Sequence, residues 1–148
     1  MSINKDILYR KINLINKDLS NLRKLSYLSF KDYLKNPEYE VLAERYLERI
    51  IGRMIDINYH ILSELNEINP VDYFSSFVEM GKNNYISIEL SEKLKKSAGL
   101  RNRLAHEYDD IDEKKIYEAI KKSLKEIPEF LRSIIDLLEK DSKQTKMF

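Results

Sequence analysis

The residue types best suited to chemistry lie in a stretch of ten residues, positions 99–108, which reads GLRNRLAHEY. It contains Arg101, a permanent cation with a planar fork of donors, and His106, one of only two histidines in the chain. Asn102 and Tyr108 add an amide and a phenol. Arginine binds phosphate through paired N–H donors, and histidine gives and takes protons near neutral pH. The set suits metal-free cleavage of RNA, in which the 2′-hydroxyl attacks its own phosphate.

Helical spacing determines which of these side chains act together. On an α-helix, residues three, four or seven positions apart share a face. Arg101 therefore aligns with Ala105 and Tyr108, and Asn102 aligns with His106 on the adjacent face. The sequence predicts one broad polar sector, in which the small Ala105 leaves room between the polar groups.

Structural roles are the competing interpretation of the same residues. A histidine near a helix C-terminus often caps carbonyls or interacts with the helix dipole. Arginine and asparagine on a helix are usually solvated, so spacing alone favours structural roles over catalysis.

Gly99 is unusual inside a helix, where it costs about 1 kcal/mol relative to alanine. A close approach by another backbone would account for it.

Composition limits the class of protein. The chain has 148 residues, 43% of them hydrophobic, and only three glycines and three prolines, which favours a single helical domain over residues 1–148. It has no cysteine and two histidines, so no thiolate or all-imidazole metal site is expected, and no cofactor. Its net charge of +1 does not indicate a strongly basic surface of the kind that binds duplex nucleic acid. With no signal-type or membrane-spanning apolar run, we expect a cytoplasmic protein.

Apolar residues at helical spacing predict an all-α fold. Short loops join the predicted helices, which favours an antiparallel up-down bundle of four to five helices. The first helix has an apolar stripe, and Asp18 lies off that stripe. Pro128 is expected to kink the last helix. The tail from about residue 141 is expected to fray. The first stripe is Leu8, Ile12, Ile15, Leu19 and Leu22, and the later helices are predicted over 37–67, 71–80, 88–107 and 113–140. Predicted N-caps are Ser29, Asn36, Ser87 and either Asp110 or Asp112.

The segment GLRNRLAHEYDDID resembles the signature of the HEPN superfamily, in which a few residues separate an arginine from a histidine and a polar residue follows the arginine. It is most similar to the motif of HepT-like toxins of bacteria and archaea, which extends to a tyrosine two residues after the histidine. Arg101, Asn102, His106 and Tyr108 match these positions. A second stretch, YLKNPEYEVLAERYLERIIGRMIDINYHIL, is also similar to the family, so the resemblance covers most of the chain.

The resemblance implies a specific activity and specific partners. It implies a homodimer that brings two motifs into one cleft, and a metal-independent endoribonuclease toxin with Arg101, His106 and Asn102 as its catalytic residues. It also implies an antitoxin of the MNT type, a minimal nucleotidyltransferase. Such an antitoxin transfers AMP from ATP onto the motif tyrosine, which is Tyr108 here.

A second polar stripe lies on the predicted helix 37–67. Arg45, Arg49, Arg53 and Asp56 follow each other at helical spacing and could form a second wall of a cleft. The ordinary interpretation is a solvated face, with Asp56 pairing His60 four residues later. Arg45 and Asp56 match polar positions of the resembled family, so they are kept as weaker site candidates.

Three lysines, Lys93, Lys95 and Lys96, precede the motif on its own predicted helix. They could contact RNA phosphates, although such a cluster is usually a solvated helix face. Two function classes stay open, because binding a phosphate and cleaving one need similar groups. The first is an RNase toxin. The alternative is a non-catalytic helical module that binds a nucleotide or a nucleotidyltransferase through Arg101 and His106, and an inert structural dimer is third.

Overall fold

The structure, a computed structural model, describes the backbone of residues 3–106 and 112–147, and their side chains except those of His106 and residues 142–147. Every regular element in these ranges is an α-helix, which confirms the all-α prediction. Four long helices and two short ones are described, where four to five were expected. They are α1 Lys5–Ser26, α2 Phe30–Lys35, α3 Pro37–Asn66, α4 Tyr73–Lys82, α5 Ile88–His106 and α6 Glu113–Met147.

Short polar side chains begin the helices, because the first N–H groups of a helix have no partner within it. The predicted caps at Ser29, Asn36 and Ser87 are confirmed, and so is Asp112, whereas Asp110 lies outside the described residues. The side-chain oxygens that accept first-turn N–H groups belong to Asn4, Ser29, Asn36, Asp72, Ser87 and Asp112.

The core is centred on α3, which contacts each of the other five helices. Most of its residues from Leu47 to Leu62 are buried, on more than one face, as expected for a central helix. The stripe predicted for α1 is buried in full. Burying each leucine or isoleucine side chain stabilises the fold by roughly 1.5–3 kcal/mol, so packing around α3 fixes the arrangement of α1, α5 and α6.

Two boundaries differ from the sequence-based prediction. The helix α4 begins at Tyr73 rather than Val71, because Asp72 accepts the first-turn N–H of Ser75 and so acts as its cap. The last helix is continuous through Pro128 and runs on to Met147 instead of ending near residue 140. No helix among residues 3–106 and 112–147 is long and apolar enough to cross a membrane.

Of the three glycines, Gly81 and not Gly99 lies where two helices approach each other closely. A Cβ atom at position 81 would lie 2.7 Å from the Cβ of Ser91, so the close packing of α4 on α5 at this point leaves no room for a side chain at residue 81. A Cβ at Gly99 would meet no heavy atom within 4 Å. No backbone among the described residues therefore explains Gly99, and an approach by a second copy stays a prediction.

Candidate active site

A cavity of about 280 Å³ opens between α3 and α5. Its wall on α3 is the polar stripe noted in the sequence, Arg45, Arg49, Arg53 and Asp56, and α5 contributes Arg101. The fold thus brings three of the predicted site residues, Arg101, Arg45 and Asp56, around one space. Residues 45 and 101 lie far apart in the sequence, and the packing of α5 on the central helix joins them.

The Arg101 guanidinium is held by an aromatic ring. Its Cζ atom lies 5.4 Å from the centroid of the Tyr73 ring, a cation–π contact that positions the group without using its N–H donors. Tyr73 is itself fixed by an edge-to-face contact with Tyr59, at 6.3 Å between centroids. Within the described parts of the chain, no carboxylate forms an ion pair with Arg101. Among the described residues, no acidic side chain therefore competes with an anionic ligand for the donors of Arg101.

Asp18 lies beneath the cavity wall, which corrects the prediction that it lies off the buried face of α1. It is 2% exposed, and its Oδ2 accepts from Nη1 of Arg53 at 2.6 Å and pairs with Nε of Arg49 at 3.2 Å. A buried carboxylate needs such partners, because an unpaired charge in the core is very costly. Asp18 thus ties α1 to α3 and fixes two guanidinium groups along the cavity.

The outer members of the α3 stripe are engaged differently. Asp56 pairs with Lys11 of α1 at 3.1 Å, and the exposed Arg45 lies 3.9 Å from Glu48. His60 does not pair with Asp56 in the structure. Its Nε2 accepts the backbone N–H of Asn4 at 3.1 Å, so His60 helps to fix the start of α1, and the predicted pairing of Asp56 with His60 is wrong.

The charge around the cavity suits a single phosphodiester. Four arginines line it, and Glu48, Asp56 and the underlying Asp18 offset most of their charge. Arg101 is the lining arginine with no acidic partner among the residues described, and it lies opposite the α3 wall. In the described ranges no group of three or more His, Cys, Asp or Glu side chains is placed to hold a metal ion.

The other motif residues are placed only in part. Asn102 is exposed on α5 beside Arg101 and is not among the residues lining the cavity. His106 is the last residue of α5, about 7.5 Å further along the helix axis than Arg101. The His106 side chain and the whole of Tyr108 lie outside the described residues, so their predicted roles rest on the sequence.

Sequence analysis missed four residues that line the cavity, Glu48, Gly52, Ile55 and Tyr73. Tyr73 comes from α4, and no spacing within α5 could connect it to Arg101. Gly52 had a detectable feature, since a glycine inside a long helix is as unusual as Gly99. A Cβ at position 52 would meet no heavy atom within 4 Å, so the absent side chain widens the cavity rather than admitting another helix.

Residues 15–134 match the family described as Ribonuclease HepT-like. The chain belongs to the HepT-like ribonuclease family. The match includes the whole motif and both walls of the cavity, and it confirms the HEPN resemblance. This HepT-like chain is 40% identical over 128 residues to the tRNA nuclease HepT of Aphanizomenon flos-aquae, covering 86% of the chain and 87% of that protein. It is 31% identical over 85 residues to the mRNA nuclease HepT of Shewanella oneidensis, covering 57% of the chain and 64% of the relative.

The HepT-like fold is also found among solved structures. One of them is the tri-AMPylated HEPN toxin of Shewanella oneidensis in complex with MNT antitoxin. Its fold agrees with a TM-score of 0.81 at 25% sequence identity, over 92% of this chain and 99% of that one. The helical architecture around the cavity is therefore that of a HEPN toxin.

Proposed function

We propose that this protein is a metal-independent endoribonuclease and the toxin of a toxin–antitoxin pair. The observation that carries the proposal is Arg101, which faces an arginine-lined cavity, has no acidic partner among the described residues, and precedes His106 by five residues on α5. Membership of the HepT-like family and similarity to two named nucleases support the same activity. The relative with 40% identity acts on tRNA, so tRNA is the first substrate to test and mRNA the second.

The proposed reaction needs a base, an acid and a group that stabilises charge on phosphorus. His106 takes the proton of the 2′-hydroxyl as the bond between O2′ and phosphorus forms. An acid then protonates the leaving 5′-oxygen as its bond to phosphorus breaks, which gives a 2′,3′-cyclic phosphate and a 5′-hydroxyl. Arg101 donates to the non-bridging oxygens, where negative charge develops, and Asn102 orients the imidazole.

A homodimer would supply both the base and the acid. Each chain has one motif histidine, and a two-fold axis beside α5 would bring two of them to one cleft. Gly99 is exposed and offers open space for a second backbone, and Ala105 is small and half-buried on the same helix. We place the dimer contact at or near these two residues.

The proposed partner is an antitoxin of the MNT type, which supplies AMP from ATP. The phenolic oxygen of Tyr108 attacks the α-phosphorus of ATP and gives up its proton, and pyrophosphate leaves. The product is a phosphodiester only two residues after His106 in the sequence. Its negative charge competes for Arg101, the group that the RNA phosphate needs.

Cleavage of a tRNA by the purified protein in excess EDTA tests the proposed chemistry. We expect cleavage to survive chelation and to leave 2′,3′-cyclic phosphate ends. His106→Ala should lower the rate by roughly 10²–10⁴-fold, the usual contribution of general acid–base catalysis. Arg101→Lys keeps the charge but loses the donor fork, so it should also lower the rate. Lys17→Gln, on the exposed face of α1, is the control.

The same experiment separates the proposal from its main alternative, a non-catalytic module that binds a nucleotide or a nucleotidyltransferase. Such a module would bind RNA or nucleotide through Arg101 and leave the substrate intact. Cleavage that requires Mg²⁺, or that is undiminished in His106→Ala, would contradict the mechanism given above.

A further inference from the structure

The face of α5 that turns away from the arginine-lined cavity forms a second groove. Successive residues of an α-helix are about 100° apart, so Arg101 and Arg103 project to nearly opposite sides. Arg101 lines the cavity against α3, whereas Arg103 lines a groove of about 220 Å³ between α5 and α6. The motif helix thus has a different basic group on each side.

Lysines from both helices line this second groove. Lys93 and Lys96 come from α5, and Lys115 and Lys122 come from α6. The third lysine that precedes the motif, Lys95, turns instead towards α4, where its Nζ lies 5.4 Å from the centroid of the Phe74 ring. The three lysines are therefore not one solvated cluster, and two of them face α6 across the groove.

Among the described residues, the groove carries more positive than negative charge. Five cations line it, against two carboxylates, Glu118 and Glu126. Lys93 pairs with Glu89 at 3.4 Å, but no other cation of the groove forms an ion pair with any residue of the described ranges. Like charges that face each other across a groove repel, and a bound polyanion would relieve that repulsion.

The basic surface continues over the first turns of α6. On the side of α6 that faces α2, Lys114 and Lys121 line a hollow with Phe30, and the Nζ of Lys121 lies 4.8 Å from the centroid of the Tyr117 ring. The pairs Lys114–Lys115 and Lys121–Lys122 are seven residues apart, so they lie about 10.5 Å from each other along one side of the helix. We call these four residues the lysine ridge.

We propose that the α5–α6 groove and the lysine ridge form a second RNA-binding surface, which holds the phosphate backbone of a structured RNA outside the catalytic cavity. The proposal rests on the proposed function, because the RNA is the substrate of that site. The cavity has room and charge for one phosphodiester, which gives little affinity for a whole tRNA. Further phosphate contacts have to come from elsewhere, since affinity for nucleic acid grows with the number of phosphates neutralised.

Chain order and composition favour RNA over a protein as the ligand. The segment that joins α5 to α6 contains the end of the motif, so an RNA strand along the start of α6 leads back towards His106. Lysine is depleted in the cores of protein–protein interfaces, which are mostly apolar. Lysines on flexible stems suit a phosphate backbone, which they contact as point charges without fixed geometry.

Salt-dependent binding tests this surface independently of cleavage. The inactive His106→Ala protein is titrated into a fluorescent tRNA transcript at several salt concentrations, with and without Lys96→Gln/Lys122→Gln. The plot of log affinity against log salt has a negative slope, and each lost phosphate contact makes it shallower by about 1. We therefore expect the magnitude of the slope to decrease by about 2 in the double variant. Lys17→Gln/Lys24→Gln on α1 removes the same charge from exposed positions outside these grooves and should leave the slope unchanged.

The outcomes separate this proposal from the proposed function. The second surface is refuted if adding Lys96→Gln/Lys122→Gln to the His106→Ala protein leaves the salt slope of tRNA binding unchanged. It is also refuted if the His106→Ala protein does not bind tRNA at all. If the groove variant, Lys96→Gln/Lys122→Gln, instead fails to dimerise, the groove is a protein contact and the proposal is also refuted. If the unsubstituted protein binds tRNA and never cleaves it, the proposed nuclease function fails, while a decreased slope in the groove variant still supports the RNA-binding surface.

Discussion

Neighbouring side chains hold three of the arginines that line the cavity. Tyr73 positions Arg101 through its ring, and Asp18 holds Arg49 and Arg53 from below. The buried Asp18 fixes these two arginines along the cavity, whereas the exposed Arg45 has only a distant partner. Hydrogen bonds to charged groups contribute roughly 1.5–3 kcal/mol each, so two of the cavity arginines are positioned before a substrate arrives. Such preorganisation lowers the cost of orienting charge in the transition state.

We expect the glycine at position 52 to lower the stability of the protein and to raise its activity, compared with alanine. Substitution by alanine meets no neighbouring atom, so Gly52→Ala should stabilise α3 by up to about 1 kcal/mol through its higher helix propensity. The added methyl group projects beside the cavity arginines and should lower RNA cleavage. Denaturant unfolding and cleavage assays of the same preparation measure the two effects.

Gly81→Ala provides the matched contrast for Gly52→Ala. Its new Cβ would collide with Ser91, so it should destabilise the protein, by roughly 1–3 kcal/mol. A Gly52→Ala protein that is more stable and fully active would show that the cavity does not need the glycine.

At the scale of the helices, sequence analysis was most accurate for features that depend on a single helix, such as its buried stripe and its N-cap. Stripes such as Leu8 to Leu22 and caps such as Asn36 were correct because helix periodicity and unpaired N–H groups are local properties. Asp18 was misplaced, although it precedes Leu19 of the buried stripe, because its burial depends on arginines from another helix. Contacts between helices, such as that of Tyr73 with Arg101, have no local pattern in the sequence.

The beginning of α6 meets α3 through acidic side chains. Burial, and then the nearby carboxylates of Glu113 and Glu44, raise the pKa of Glu40 from its ordinary 4.5 to about 7. Glu113 also hydrogen-bonds to Glu40, and burial raises the pKa of Glu44 in the same direction. Between these two pH values the folded protein keeps a proton on Glu40 that the unfolded chain has lost.

The raised pKa of Glu40 predicts a pH-dependent stability. The stabilisation from the protonated Glu40 is complete below about pH 4.5 and is lost as the pH rises through about 7. Glu40→Gln, which stays neutral, should flatten this part of the stability profile and stabilise the protein at pH 8. Thermal unfolding from pH 4.5 to 8 measures it, with Glu139→Gln at an exposed position of α6 as control. Parallel profiles for Glu40→Gln and the parent protein would exclude Glu40 as the cause.

At the scale of the whole molecule, the net charge is only +1, but residues of the same charge cluster in separate parts of the structure. Arginines gather between α3 and α5, lysines between α5 and α6, and glutamates where α3 meets the start of α6. The motif helix therefore lies between two basic surfaces. In our proposals one surface holds the reacting phosphate and the other holds the remainder of the RNA, which explains why overall charge gave no indication of an RNA partner.

If the two surfaces act separately, we expect AMP on Tyr108 to inhibit cleavage without preventing RNA binding. We propose that the added phosphodiester competes for Arg101 and leaves the lysines of the α5–α6 groove to the RNA. Incubation with an MNT-type nucleotidyltransferase and ATP should add the mass of AMP to the parent protein and none to Tyr108→Phe. The modified protein should lose cleavage while keeping much of its salt-dependent tRNA binding.

Tyr27→Phe is the matched control for this modification, because Tyr27 is a highly exposed tyrosine outside the motif. It should accept AMP as the parent protein does. If AMP maps to a tyrosine other than Tyr108, or if the modified protein cleaves RNA at the parent rate, Tyr108 is not the regulated residue. If modification abolishes tRNA binding as well as cleavage, the two basic surfaces do not act separately, because one group at the motif then blocks both.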